Sequence, residues 1–173
     1  MNKVAIVLSI TFLLGEESPF LFNGYVDFAH ISRLSDYSII DIPYRMGSID
    51  FFQQNENLSL NGNFTLEYQL RKDSYFLESK DPQDFRLDMR ELYSTFNGSN
   101  FELRIGKQIH SWGNVDENSP VDNASAFDYY YIFFLGRERK MATLSGALDY
   151  YVGNLKLNAV FSPIHTTNRL PLG

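Results

Sequence analysis

Between Leu58 and Arg71 apolar and polar residues alternate almost without fault. Leu58, Leu60, Gly62, Phe64, Leu66, Tyr68 and Leu70 share one face; Ser59, Asn61, Asn63, Thr65, Glu67, Gln69 and Arg71 share the other. A period of two is the signature of a β-strand with one apolar and one wet face. The run is also long. An ordinary strand has about 5 to 6 residues, whereas a tilted strand crossing a bilayer needs about 9 to 11. The length favours the wall of a barrel.

The pattern recurs along the chain. Phe101, Leu103 and Ile105 alternate with Glu102, Arg104 and Gly106; Ala142, Leu144, Gly146, Leu148, Tyr150 and Val152 alternate with Thr143, Ser145, Ala147, Asp149 and Tyr151. Leu157, Ala159 and Phe161 alternate with Lys156, Asn158 and the apolar exception Val160. From Phe85 to Phe96, Leu87 and Met89 are out of phase with Leu92 and Phe96, and a β-bulge near Arg90 reconciles them. Until that bulge is placed, the facing of Arg86 and Arg90 stays open. Phe22 to Ile31 reads as a further strand, and Tyr44 to Gln53 as another that turns at Asn55 to Asn57.

Short and long connections alternate. Asn97 to Asn100 and the pair Gly153, Asn154 are tight hairpin turns, because Asn and Gly tolerate the positive φ such turns need. Lys72 to Asp84, His110 to Lys140 and the chain from Ser162 onward are long. This is the plan of an antiparallel up-and-down transmembrane β-barrel, with short turns on the periplasmic rim and long loops outside. The count is about seven strands, where bacterial single-chain barrels have an even number from about 8 upward. The chain stops at Pro171, Leu172, Gly173 in mid-loop, so residues 16–173 are read as an incomplete N-terminal segment of a larger wall.

The first residues read as an address. One positive charge in Met1 to Lys3 precedes an uncharged run from Val4 to Leu14, broken by Gly15, Glu16 and Glu17. That run fits the core of a signal peptide and is shorter than the ~20 residues of a membrane-spanning helix. Residues 1–15 are therefore expected to be an export signal, with a buried first strand or helix as the alternative. No later run is long and apolar enough for a helical span.

Composition excludes several classes. Lys and Arg number 15 against 21 Asp and Glu, a formal charge of −6, which is the wrong sign for a protein that grips nucleic-acid phosphate. Zero cysteines exclude disulfide scaffolds, thiolate metal sites and thiol nucleophiles. No GxGxxG, GxxxxGK[ST] or HExxH motif occurs, so no cofactor is expected. His30, His110 and His165 are too scattered to form a ligand set. Asp116, Glu117, Asp122 and Asp128 crowd one loop; calcium suits such oxygens, but the spacing fits no EF-hand and a solvated acidic loop is preferred. Glu102 and Asp149 lie on wet strand faces near Arg104, the arrangement of a water-filled lumen more than of a hydrolase.

The run Leu103, Arg104, Ile105, Gly106, Lys107, Gln108, Ile109, His110, Ser111, Trp112, Gly113 resembles a signature of a large family of Gram-negative outer-membrane barrels with porin-like architecture. In that family an RxGKQxxxWG-type strand end leads into a long loop with an NxPxD-like element, matched here by Asn118, Ser119, Pro120, Val121, Asp122. Arg90, Glu91, Leu92, Tyr93 resembles its preceding strand, Phe127 to Arg139 its aromatic loop, and Pro163 to Pro171 its proline-flanked segment with an Arg before the last Pro. The resemblance implies an outer-membrane place and a porin-like build, and little chemistry. The residues add mechanics: Gly106 permits a kink or a close backbone approach, and the loop after His110 is expected to fold into the lumen and narrow it. Trp112 is read as part of that loop, with an anchor at the lipid interface as its alternative.

The expectation is thus an outer-membrane channel for passive or selective passage of small solutes, with outer-membrane lipid, a small-molecule solute and a second copy of the chain as candidate partners, and no enzyme activity. Glu102, Arg104 and Gln108 are the candidates for the pore wall, and His110 and Trp112 stand where that wall becomes loop. Asn114, Asp116, Asp122 and Asn123 are the candidates for the constriction. An acidic loop facing a basic wall would sort solutes by charge. The rival readings are a secreted β-sandwich that binds carbohydrate through exposed aromatics, and an outer-membrane enzyme acting on lipid through carboxylates or His110.

Overall fold

The computed structural model of the protein describes residues 4–5, 9–10, 20–28, 32–37, 42–70, 85–111, 124–131 and 139–170. Among the described residues there are eleven strands: β1 (Val4–Ala5), β2 (Ser9–Ile10), β3 (Phe20–Val26), β4 (Ile42–Asn55), β5 (Leu58–Leu70), β6 (Phe85–Asn97), β7 (Phe101–Gln108), β8 (Ala126–Phe127), β9 (Lys140–Met141), β10 (Thr143–Val152) and β11 (Leu155–Phe161). One antiparallel sheet runs in the order β1-β3-β4-β5-β6-β7-β10-β11, with β2 also beside β3. β8 and β9 form a separate two-stranded ribbon. The long strands β3, β4, β5, β6, β7, β10 and β11 are the seven expected, and the sheet is open: among the described residues no strand pairs with the far side of β11. β3 begins two residues earlier than the pattern suggested and ends at Val26, where its pairing with β4 runs out at Gly47.

Each expected tight turn is present, and all three lie at one end of the sheet. Glu56 and Asn57 join Asn55 to Leu58, with Glu56 at φ 38°. Gly153 and Asn154 join Val152 to Leu155, with Gly153 at φ 57°. Asn97 leads through Gly98, Ser99 and Asn100 into Phe101, and the Gly98 N–H donates to the Phe101 carbonyl at 2.8 Å. The long connections leave from the other end.

Two bulges set the phase of the faces. Asn63 pairs with Glu91 and Phe64 with Met89, so Arg90 is the extra residue of β6, as the phase slip in the sequence required. That shift puts Leu87, Met89, Leu92 and Phe96 on one face. Arg86, opposite Glu67, lies on the other, and the Arg90 guanidinium donates to the Lys140 carbonyl at 3.1 Å on that same side. The second bulge falls between Arg45 and Gly47 of β4, with Met46 as the extra residue.

The consequence is an inverted sheet. In β10, Leu144 is 52% and Leu148 39% exposed, whereas Ser145 is 4%, Ala147 1% and Asp149 3%. The same holds across the strands: Ile49, Leu58, Phe64, Leu87, Phe96, Ile105 and Leu157 are exposed, and Arg45, Ser48, Ser59, Thr65, Glu67, Thr95, Gln108 and Thr143 are buried. A soluble domain buries its large apolar residues and rarely exposes a contiguous apolar patch of more than a few hundred Å². Here the apolar surface faces outward and the covered face is polar. Among the described residues a buried pair, Tyr44 and Tyr68, with partly buried Ile42 and Met46 against it, lies at the long-loop end, where Phe85 packs on Tyr68 with ring centroids 4.9 Å apart.

Candidate functional site

What covers the polar face is the connection between β7 and β10. After Gln108 the chain leaves the sheet: the Ile109 N–H donates to Glu91 Oε1 at 2.8 Å and the His110 N–H to Ser125 Oγ at 2.9 Å. His110 Nε2 lies 2.7 Å from Ser145 Oγ in a hydrogen bond, and that oxygen is 3.2 Å from the Thr143 carbonyl. Lys140 is buried, and its ammonium donates to Ser111 Oγ at 3.1 Å and to the His110 carbonyl at 3.4 Å. The β8–β9 ribbon is thereby bolted to the rungs formed by Gln108, Thr143 and Ser145. Gln108 itself is 1% exposed and donates through Nε2 to the Ser145 carbonyl at 3.1 Å.

Further along, the covering segment reaches β5. Tyr129–Tyr131 form a 3-10 turn, and Tyr131, with no exposed surface, donates its hydroxyl to Glu67 Oε1 at 2.9 Å while the Arg45 guanidinium sits 4.5 Å from its ring centroid. Arg169 closes the arrangement from the end of the described chain. Its Nη1 lies 3.0 Å from Glu67 Oε2 and 3.1 Å from Asp128 Oδ2, and its guanidinium lies 4.9 Å from the Tyr130 ring centroid. Backbone bonds hold it there: Tyr129 N–H to the Arg169 carbonyl at 2.9 Å, and Arg169 N–H to the Phe127 carbonyl at 2.9 Å. Burial raises the Asp128 carboxyl above its ordinary range, against the pull of Arg169. Burial also raises the Tyr131 phenol, and the neighbouring Glu67 adds to this, so Tyr131 stays neutral and donates. Burial alone would weaken Arg169's charge; Glu67 and Asp128 outweigh that and raise its pKa. A paired, hydrogen-bonded charge in a partly dry place is held firmly, because removing either partner strands the other.

Toward the tight turns the polar face carries a second ionic group. Arg104 Nε lies 3.2 Å from Glu102 Oε1, and its Nη2 lies 3.3 Å from Asp149 Oδ2. Lys156 Nζ lies 3.2 Å from the same Asp149 oxygen, and Asn158 Nδ2 donates to Asp149 Oδ1. The wall here bears both signs. Arg104 does not present an uncompensated positive surface to the loop, which removes half of the charge segregation expected from the sequence. Gly106, between Arg104 and Gln108, adopts φ 142°, and a Cβ there would stand 2.3 Å from the Leu92 carbonyl oxygen and 2.7 Å from Tyr93 Cα. This is the close approach expected of it.

On β3 to β6 the polar face also carries a cleft of about 290 Å³. Register places its polar-face residues on two rungs. Leu21, Phe52, Asn61 and Tyr93 occupy one; Asn23, Asp50, Asn63 and Glu91 occupy the next toward the loops. Asn63 Nδ2 donates to Ser48 Oγ at 2.7 Å and to Asp50 Oδ1, so the second rung is itself a hydrogen-bonded row.

The structure places Glu102, Arg104 and Gln108 on the polar face, with Gln108 buried, and His110 at the start of the covering segment. Trp112, Asn114, Asp116, Asp122 and Asn123 lie outside the described residues. Of the residues that dock the covering segment, Glu67, Tyr131 and Arg169 were not among the sequence candidates, and Asp128, expected in a solvated acidic loop, is instead buried and paired with Arg169. The signal available for Arg169 was its place before Pro171 in the proline-flanked segment, and for Glu67 an acidic residue mid-strand on a wet face. Among the described residues, no three His, Asp or Glu side chains group as metal ligands. No protein-family model, no curated protein and no solved structure matches the chain.

Proposed function

We propose that the seven-strand sheet is part of the wall of a bacterial outer-membrane β-barrel, and that its polar face lines a passage for small solutes. The observation that carries this reading is the inversion of the sheet: aliphatic and aromatic side chains outward, buried serines, threonines and ion pairs inward. In water the exposed apolar face would cost about 25 cal/mol for every Å² left uncovered, whereas acyl chains cover it without that cost. Strands of up to 14 residues and tight turns confined to one end agree with a tilted spanning wall. So does the resemblance of Leu103 to Gly113 to the porin-like family. The open ladder of β11 is where this reading adds further wall, since an unpaired strand edge in lipid leaves backbone groups unsatisfied.

In this reading the segment docked through His110, Lys140, Tyr131 and Arg169 is the constriction, and the sorting of solutes occurs beside it. No covalent chemistry is involved. The test is the chain refolded into planar lipid bilayers in potassium chloride. Discrete conductance steps that require folded strands support the channel. A soluble β monomer that melts cooperatively in plain buffer, with no lipid or detergent, would replace it by the secreted carbohydrate-binding sandwich.

A further inference from the structure

The cleft on the polar face carries an inference about the solute. Its first rung sets Phe52 and Tyr93 on either side of Asn61, two strands apart. Adjacent strands are spaced about 4.8 Å, so the two rings start roughly 9.6 Å apart at the backbone. A ring-shaped solute contacting an aromatic face on each side at about 3.5–4.0 Å needs a gap of about 7–8 Å. Rings that each leaned inward by about 1 Å would leave that gap. The floor is an amide, and the next rung adds the Asp50 and Glu91 carboxylates around the Asn63 amide.

Planar carboxylates and amides accept and donate in pairs, which matches vicinal hydroxyls spaced along a sugar ring. Aromatic faces match the C–H faces of the same ring. Among the described residues that line this cleft there is no Lys, Arg or His, and an anion there meets two carboxylates. A bare cation is a poorer match, since the described residues group no three carboxylate or imidazole ligands. A volume of about 290 Å³ is at the lower end of small-molecule sites and suits one or two hexose units.

We propose that this cleft is a subsite for a neutral saccharide, with one hexose ring held between Phe52 and Tyr93 over Asn61. Its place in the path of a passing solute rests on the channel reading. Binding itself does not, so the two fail separately.

The test is calorimetric titration of the folded chain in detergent with maltose and, separately, with D-glucuronate. The probe set is applied to the parent chain and to Phe52→Ala, Tyr93→Ala and Asn61→Leu, with far-ultraviolet circular dichroism checking that the strands persist. Asn61→Leu is chosen because it fills the floor with a side chain that strands tolerate. The expected result is saturable millimolar binding of maltose, weakened about tenfold or more in at least two of the folded variants, and glucuronate weaker than maltose by a similar factor. No maltose binding, equal binding in all folded variants, or equal binding of glucuronate overturns the proposal. Conductance without maltose binding removes the subsite and keeps the channel; maltose binding without conductance does the reverse.

Discussion

Arg169 and Glu67 stand 102 residues apart in the chain and 3.0 Å apart in space, and Asp128 shares the same guanidinium nitrogen at 3.1 Å. One cation therefore ties the proline-flanked segment, the loop after β8 and the long-loop end of β5 into one unit. Replacing Arg169 with Ala leaves two buried carboxylates without their shared cation. Breaking a buried pair from one side costs about 3–5 kcal/mol, and the lower value applies because the Arg169 side chain keeps 26% of its surface exposed. The expected outcome is faster protease cleavage near Tyr129–Tyr131 and a larger, noisier conductance, with the strand signal retained.

Tyr131→Phe isolates one contact of that unit. It removes a hydrogen bond to a charged acceptor and keeps the ring under Arg45. Such bonds contribute about 1.5–3 kcal/mol. Denaturant unfolding in detergent should show a loss in that range, and a Tyr131→Phe, Glu67→Gln double variant should lose less than the sum of the two single changes.

Asp128 gives the docked segment a pH dependence with a definite sign. Its carboxyl is raised above the ordinary 3.8 by burial, against the pull of Arg169, in a neighbourhood that also holds Glu67. A carboxyl raised by folding binds its proton more readily in the folded state, so its contribution to stability is full below 3.8 and is lost as pH rises through the folded value. Asp128→Asn should flatten that part of the stability profile while leaving Arg169 its bond to Glu67. Thermal melts in detergent across mildly acidic pH read this directly.

Much of the wall was legible in the sequence, and the reason is physical. A strand with one apolar and one polar face writes a period of two that few residues break, and the phase slip from Met89 to Leu92 announced the bulge at Arg90. The slip on β4, from Ile42 and Tyr44 to Ile49 and Phe51, was equally written there, but Phe52 on the polar face masked it. The docking unit was not legible, because nothing local in Glu67, Asp128 or Arg169 says that three distant segments meet. The cleft was half legible. The turn at Glu56 and Asn57 fixes Asp50 opposite Asn63, whereas placing Glu91 and Tyr93 beside them needs the bulge and the long connection from β5 to β6.

Gly106→Ala and Gly146→Ala form a matched pair. A Cβ at Gly106 meets the Leu92 carbonyl at 2.3 Å with φ at 142°, whereas one at Gly146 meets nothing within 4 Å. The first should cost about 1–3 kcal/mol through backbone strain. The second should be neutral or slightly stabilising, since alanine narrows the unfolded ensemble. Unfolding of both in urea and detergent checks the contrast.

Arg104 neutralises Glu102 and half of Asp149, with Lys156 on the other side. Arg104→Ala should therefore shift the passage toward cations. Reversal potentials across a potassium chloride gradient measure this, and an unchanged potential would place Arg104 outside the path.

In the proposed barrel the apolar face of the sheet meets lipid and the polar face does not. The chain has no cysteine, so single cysteines at Leu144, Leu148 and Leu157 on one face and at Ser145, Asp149 and Asn158 on the other can carry an environment-sensitive fluorophore without background. With the chain folded into vesicles containing brominated lipid, the first three positions should be quenched and the second three should not. Equal quenching on both faces, or none on either, would contradict the account.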